Sequence, residues 1–290
     1  MIDIAVAPAE LVAGTVAKIT LVAYEHDLTV VDPGPVQLRL TRDNGTVLHD
    51  APMTGTGAAP RTVTIPASSL SQVDRLAARA TGADFVHEWV IPVVGSALFG
   101  IAAARLFDQG QLADPVRYPE PFLIALRARI REAFTSVTGR RFVRELVTVT
   151  VDTLEPDHAW LPDVDIVELR RLQAWRDGSW EAIDVARVLV HENGEIWARG
   201  ATFPVGPRVL RATYVAGLAT PPHEIVRAAL RLAVSYMGAL SSNLPDRALS
   251  FSDELGTFRL ATPGVGGSWF GLPEVDAVLQ RYRVTIPGVA

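Results

Sequence analysis

Residues 118–243 change hydrophobic period twice, and that alternation restricts the chain more than any other feature. In 122–137, Phe122, Leu126, Ile130, Phe134 and Val137 recur at helical spacing, with Leu123 widening the stripe. Arg127 and Arg131, four apart, fall on another face, with Glu120 and Glu132 nearby. Pro119 and Pro121 suit a first helical turn, where a fixed φ is favourable. Gly139 stands where a left-handed cap would end the helix. From 143 to 217 the period is that of strands. Val147, Val149 and Val151 share one face, and Thr148 and Thr150 the other. Asp177-Gly178 and Asn193-Gly194 mark hairpin turns, so the segment is expected to form an antiparallel meander closed by 209–215. Thr220-Pro221-Pro222-His223-Glu224 then opens a second amphipathic helix. Its apolar face is Ile225, Ala228, Ala229, Leu232, Tyr236, Met237 and Leu240, and Ser241-Ser242-Asn243 ends it.

Upstream, residues 1–95 read as all β. Val36-Gln37-Leu38-Arg39-Leu40-Thr41 alternates cleanly, Asn44-Gly45 turns the chain into the next strand, and Gly82-Ala83-Asp84 separates two more. About seven short strands at regular spacing suggest an immunoglobulin-like β-sandwich, without the cysteine pair of antibody domains. Residues 96–118 form a joint, 119–243 the helix–insert–helix core, and 244–290 a C-terminal arm. The expected fold class is α+β. The uncharged run 89–104 contains Pro92, Gly95 and Gly100 and is short for a membrane span, so it reads as a core strand followed by an apolar loop. The arm holds a Gly/Pro-rich stretch, 263–271, and a short amphipathic helix over 272–283 opened by Pro273-Glu274. Trp269 and Phe270 in that stretch are either a local plug for the core or a contact with a neighbouring chain. Removing 264–290 is expected to leave the rest folded.

Composition excludes several chemistries. There is no cysteine, so disulfides, thiolate metal sites and cysteine nucleophiles are out. Lys18 is the only lysine among 27 basic residues, which leaves no Walker-type phosphate loop. Net charge is -5, which does not suit tight gripping of duplex DNA. The first residues lack a basic segment before their apolar run, so a signal peptide is not expected. His87-Glu88 and His191-Glu192 lack the second histidine of a zincin helix, and no Gly-x-Ser-x-Gly occurs. Asp163 and Asp165, which fall on one strand face, together with Glu168, or alternatively Glu155, Asp157 and His158, could offer ligands to a hard cation, although such acids are mostly just solvated. Arg140-Arg141, Arg144 and Arg170-Arg171 suit phosphates, intramolecular salt bridges or a subunit interface.

The order of these features resembles one family. Tyr118-Pro119 before the arginine-rich helix, Thr138-Gly139-Arg140-Arg141-Phe142 at its end, Leu161-Pro162 and Asp177-Gly178-Ser179-Trp180 all take part. So do Tyr214-Val215-Ala216-Gly217, Pro221-Pro222, and Phe270-Gly271-Leu272-Pro273-Glu274-Val275-Asp276 near the end. Together they resemble the head-to-tail connector (adaptor) proteins of long-tailed bacteriophages, actinobacteriophage type with an extra N-terminal β-domain. The resemblance implies a structural virion protein made in the host bacterial cytoplasm, without catalysis, cofactor or metal. It implies a homo-oligomeric ring, usually dodecameric, under the portal protein. That ring receives the next connector (stopper) or tail-terminator ring, and genomic DNA passes through its lumen. Arg140, Arg141, Trp269, Phe270, Leu272, Leu279 and Tyr282 are the residues expected at subunit or portal contacts. Two other classes stay open on the residues alone. One is an immunoglobulin-like module that binds carbohydrate or a host surface, which an exposed aromatic cluster on the sandwich would favour; Trp89, its one tryptophan, is expected to face the core. The other is a metal-assisted hydrolase using Asp163, Asp165 and Glu168.

Overall fold

The computed structural model describes residues 3–26, 28–200, 202–241, 250–253, 256–259 and 269–284. The expected helix end at 242–243, the Gly-rich residues 263–268 and the extended residues after 284 lie outside these.

The alternation upstream builds two sheets packed face to face. β1 (Asp3–Ala7), β3 (Ala17–Tyr24), β4 (Val30–Val31) and β7 (Arg61–Ile65) form one; β2 (Leu11–Val12), β9 (Val86–Val94), β8 (Asp74–Thr81), β5 (Gln37–Thr41) and β6 (Val47–Pro52) form the other, in that order. Ile19 and Leu21 from the first sheet meet Leu38, Leu40, Leu76 and Ile91 from the second in one core. The expected turns are there: Asn44-Gly45 joins β5 to β6, and 82–85 join β8 to β9. Trp89 is half-buried against this core, as expected. Among the described residues there are nine strands, where about seven are expected, because two-residue strands such as β2 and β4 are too short to show a period.

The apolar run does not stay a loop after its strand. Gly100 precedes a short helix, α1 (Ile101–Leu106), which the Ile-Ala-Ala-Ala-Arg-Leu run favours by its high intrinsic propensity. α2 (Glu120–Thr138) ends as expected: Gly139 takes φ 68 and its amide donates to the Thr135 carbonyl. α3 (His223–Ser241) and α4 (Pro273–Tyr282) pack with α2 over a core that includes Leu123, Ile130, Phe134, Phe142, Ile225, Leu232, Val275 and Leu279. Phe122, expected in the stripe, is instead exposed at the start of α2.

The C-terminal helix is an integral wall of that core. Val275 and Leu279 are fully enclosed. Glu224 of α3 holds Arg281 and the Tyr282 hydroxyl, Arg231 holds Glu274 at 3.2 Å, and the Val284 amide donates to the Thr138 carbonyl at 2.7 Å. Removing 264–290 would therefore expose the helical core, contrary to the expectation from sequence. A short antiparallel hairpin, Ser250–Asp253 with Gly256–Arg259, lies between α3 and α4 in the chain.

The insert has two layers instead of one meander. β10 (Glu145–Thr153), β12 (Ile166–Arg176), β13 (Ser179–Ile183) and β16 (Gly206–Ala216) form a sheet of order β10-β16-β12-β13; β11 (His158–Trp160), β14 (Val188–Val190) and β15 (Glu195–Ala198) form a second, β11-β15-β14. Both hairpins predicted at Asp177-Gly178 and Asn193-Gly194 are present. The closing strand, however, sits between β10 and β12. Its residues 212–216 are buried on both faces, and only a central strand buries both.

Candidate functional site

Several of the residues that carry the resemblance, Gly139 to Phe142 and Tyr214 to Gly217, converge on one junction, where α2 ends and the insert begins and closes. Gly217 has φ 112, and a Cβ there would overlap the Val143 carbonyl; only glycine lets these two backbones approach. The Gly217 amide donates to Asp165 O at 3.1 Å and the Leu218 amide to Arg141 O at 3.3 Å, tying the exit of the insert to its entrance. Beneath them Phe142 meets Phe134 edge-on at 6.3 Å and Tyr282 at 5.6 Å, while Phe270 lies 5.7 Å from Phe134.

A seam of buried charge runs through the same junction. Arg127 and Arg131 are four apart on α2, so one helical face aims both at the N-terminal sheets. Arg127 donates from Nε to Glu10 Oε1 at 2.6 Å and from Nη1 to the Phe99 carbonyl at 3.0 Å. Arg131 places Nε 3.3 Å from Glu10 Oε2 and Nη1 2.8 Å from Glu145 Oε1. Arg141 continues the row, with Nη1 3.2 Å from Glu145 Oε2 and Nε 2.9 Å from Asp163 Oδ1. Asp163 Oδ2 accepts from the Tyr214 hydroxyl at 2.7 Å. Glu10 is only 2% exposed and Arg131 3%. Charges this deep persist because each faces its opposite. Burial pushes the Glu145 carboxyl up, against the pull of Arg131 and Arg141. Burial would lower the Arg141 guanidinium, but Asp163 and Glu145 outweigh it and raise it. Burial and then the Asp163 charge push the Tyr214 hydroxyl up. The seam thus joins three parts of the chain through pairs of opposite charge.

The expected site residues fall into two sets. Arg140 pairs bidentately with Asp165, at 2.7 and 3.2 Å, and Arg141 belongs to the seam. Trp269, Phe270, Leu272 and Tyr282 pack half-buried on the helical core, and Leu279 is inside it. The acids weighed as metal ligands do not share a strand face. Asp163 and Asp165 occupy the turn before β12, Asp165 at φ 56, and each meets a different arginine. Glu168 meets Arg170 at 3.1 Å. A cation there would have to displace guanidinium groups. Glu155, Asp157 and His158 do bring ligand atoms within 4.8 Å of one another. They are exposed or partly exposed, and a hydrogen bond donated to the Asp157 carboxylate raises the His158 imidazole. Among the described residues no helix is long and apolar enough to cross a membrane.

Sequence reasoning passed over the solvent faces of the insert, which carry Trp160, Trp175, Trp180 and Trp197, four of the six tryptophans. One signal was present: an Asp177-Gly178 hairpin sets Trp175 directly across from Trp180.

No family profile matches the sequence, and no curated protein matches it. Among solved structures, the neck of an empty GTA particle computed with C6 symmetry overlaps 57% of this chain and 81% of its own, at 18% identity and TM-score 0.38. The neck of a native GTA particle computed with C12 symmetry overlaps 62% and 93%, at 17% identity and TM-score 0.38. A Salmonella alpha-2-macroglobulin mutant overlaps 74% of this chain and 15% of its own, at 12% identity and TM-score 0.28.

Proposed function

We propose that this chain is a non-enzymatic head-to-tail adaptor of a tailed-phage particle, a ring subunit that joins the portal to the next connector. Residues 119–243 form its core, 1–95 an outward β domain, 96–118 the joint, and the terminal helix seals the core. One observation carries the reading. Six of the residues that give the sequence its resemblance to adaptors (Gly139, Arg140, Arg141, Phe142, Tyr214, Gly217) meet at a single junction, where each has a physical job in joining helix, insert and terminal helix. The charges of Arg127, Arg131, Arg140 and Arg141 are each met by a carboxylate, which suits a scaffold. Net charge of -5 suits a lumen through which DNA slides without being gripped.

The test is direct. The purified chain, mixed with portal-bearing heads of its own particle, is expected to co-sediment with them and to appear by electron microscopy as a ring under the portal. Heads that sediment without it would sink the adaptor reading.

A further inference from the structure

The two sheets of the insert enclose one core, with Leu172, Leu210, Ala212 and Tyr214 from one layer against Ala159 and Ile196 from the other. Their outer faces therefore point in opposite directions, and both are aromatic. On the β10-β16-β12-β13 sheet, Trp175 and Trp180 meet edge-on at 5.2 Å, and the Arg211 guanidinium lies 4.0 Å over the Trp180 ring. Arg211 has no carboxylate partner among the described residues. On the β11-β15-β14 sheet, His158 stacks on Trp197 at 5.0 Å. Trp160 stands across from Glu195, and Asp157 and Glu155 flank His158. Trp160 is 47% exposed, Trp175 42% and Trp197 38%.

We infer that the insert binds a second copy of this chain head to tail, the Trp175–Trp180–Arg211 face of one copy covering the Trp160–Trp197–Glu195 face of the next. Interface centres are enriched in tryptophan and arginine, but the occupant is chosen by charge. Pairing either face with itself would set arginine against arginine or acid against acid. Pairing one with the other sets Arg211 against Glu195 and its acidic neighbours. Two different, complementary patches on opposite sides of a subunit generate a heterologous association, which closes into a ring when the rotation allows. The inference rests on the adaptor reading for its setting and deepens it by naming the subunit surfaces.

Sedimentation velocity of the full chain over a concentration series tests it. The wild type is expected to self-associate. Arg211→Glu and Glu195→Arg are each expected to weaken association by about tenfold or more, the effect of a like-charge contact. An equimolar mixture of the two is expected to associate again, because every contact then joins opposite charges. Circular dichroism and melting of the dilute variants check folding, and Trp197→Ala, which changes no charge, is the second variant should Arg211→Glu unfold. A wild type that stays monomeric up to its solubility limit overturns the inference. So do variants that associate like the wild type, a mixture that does not recover, or a monomer whose tryptophan fluorescence answers to soluble oligosaccharide instead. The outcomes separate from those of the adaptor test. Association through these faces without portal binding would remove the adaptor reading alone. Portal docking that Arg211→Glu leaves unchanged would remove this one alone.

Discussion

The N-terminal sheets and the insert are both two-layer β structures, yet they present different surfaces to water. The broad concave face of the N-terminal β-sheet, about 770 Å³ in volume, is lined by Gln37, Arg39, Asp50, Arg79 and Glu88. Its charges answer one another across strands, Arg39 with Asp50 at 3.9 Å and Arg79 with Glu88 at 3.5 Å. Its tryptophan leans on the core. The insert has the reverse arrangement, with tryptophans outward and charges of opposite sign on opposite sides. The layer count alone cannot distinguish these two; the outer-face composition does, and it marks the insert as the part built to be covered.

The two structures are also fastened to the helices by the same side chain, which gives the largest expected effect. Arg131→Ala removes the one guanidinium shared by Glu10 of the N-terminal part and Glu145 of the insert, leaving Glu10 to Arg127 and Glu145 to Arg141 and opening a hole in the buried seam. Urea denaturation is expected to show a loss of about 3–5 kcal/mol; a loss under 1 kcal/mol would mean that the seam does not join them. Next, Leu279→Ala is expected to lose about 2–5 kcal/mol, as a large-to-small change in a closed core does. An unchanged midpoint would return the terminal helix to the status of a detachable arm.

Tyr214→Phe acts on the insert side alone. Losing the buried bond to Asp163 is expected to cost about 1–3 kcal/mol at neutral pH. It also changes the alkaline limb. The folded chain holds the Tyr214 proton above the ordinary tyrosine range, whereas the unfolded chain releases it near pH 10. Stability from this group is thus complete below about pH 10 and falls as pH rises beyond it. The variant should lose stability less steeply there, and an identical slope would show that Tyr214 already ionises in the folded state. The smallest effect is expected at the N-terminal face. Arg79→Ala should change stability by under about 1 kcal/mol, as exposed pairs do, and leave self-association untouched. Weakened association in this variant would erase the contrast between the two surfaces.

Local chemistry was legible in the sequence, and distant partnership was not. Gly139, Asn44-Gly45, Asp177-Gly178 and Asn193-Gly194 specify their own backbone geometry, so the helix end and the hairpins could be read directly. The position of β16 between β10 and β12 depends on which strand buries both faces in the finished structure. Likewise the sequence places Arg127 and Arg131 off the apolar stripe, which is correct, and offers Glu120 and Glu132 as neighbours, whereas the buried partners are Glu10 and Glu145. Their partner Glu10 lies 117 residues from Arg127, and no spacing rule reaches that far. The same holds for Arg141, whose partner Asp163 is fixed only when the insert folds back.

The seam also sets a grammar for gaining or losing the N-terminal part. Glu10 is the counter-ion that lets two arginines sit inside α2. A chain trimmed of residues 1–95 would lose that counter-ion together with the cover it forms over the two arginines, leaving Arg131 only Glu145. Conversely, grafting a foreign domain here succeeds only if the graft brings its own acid to that spot. The ornament and its mount would have to change together.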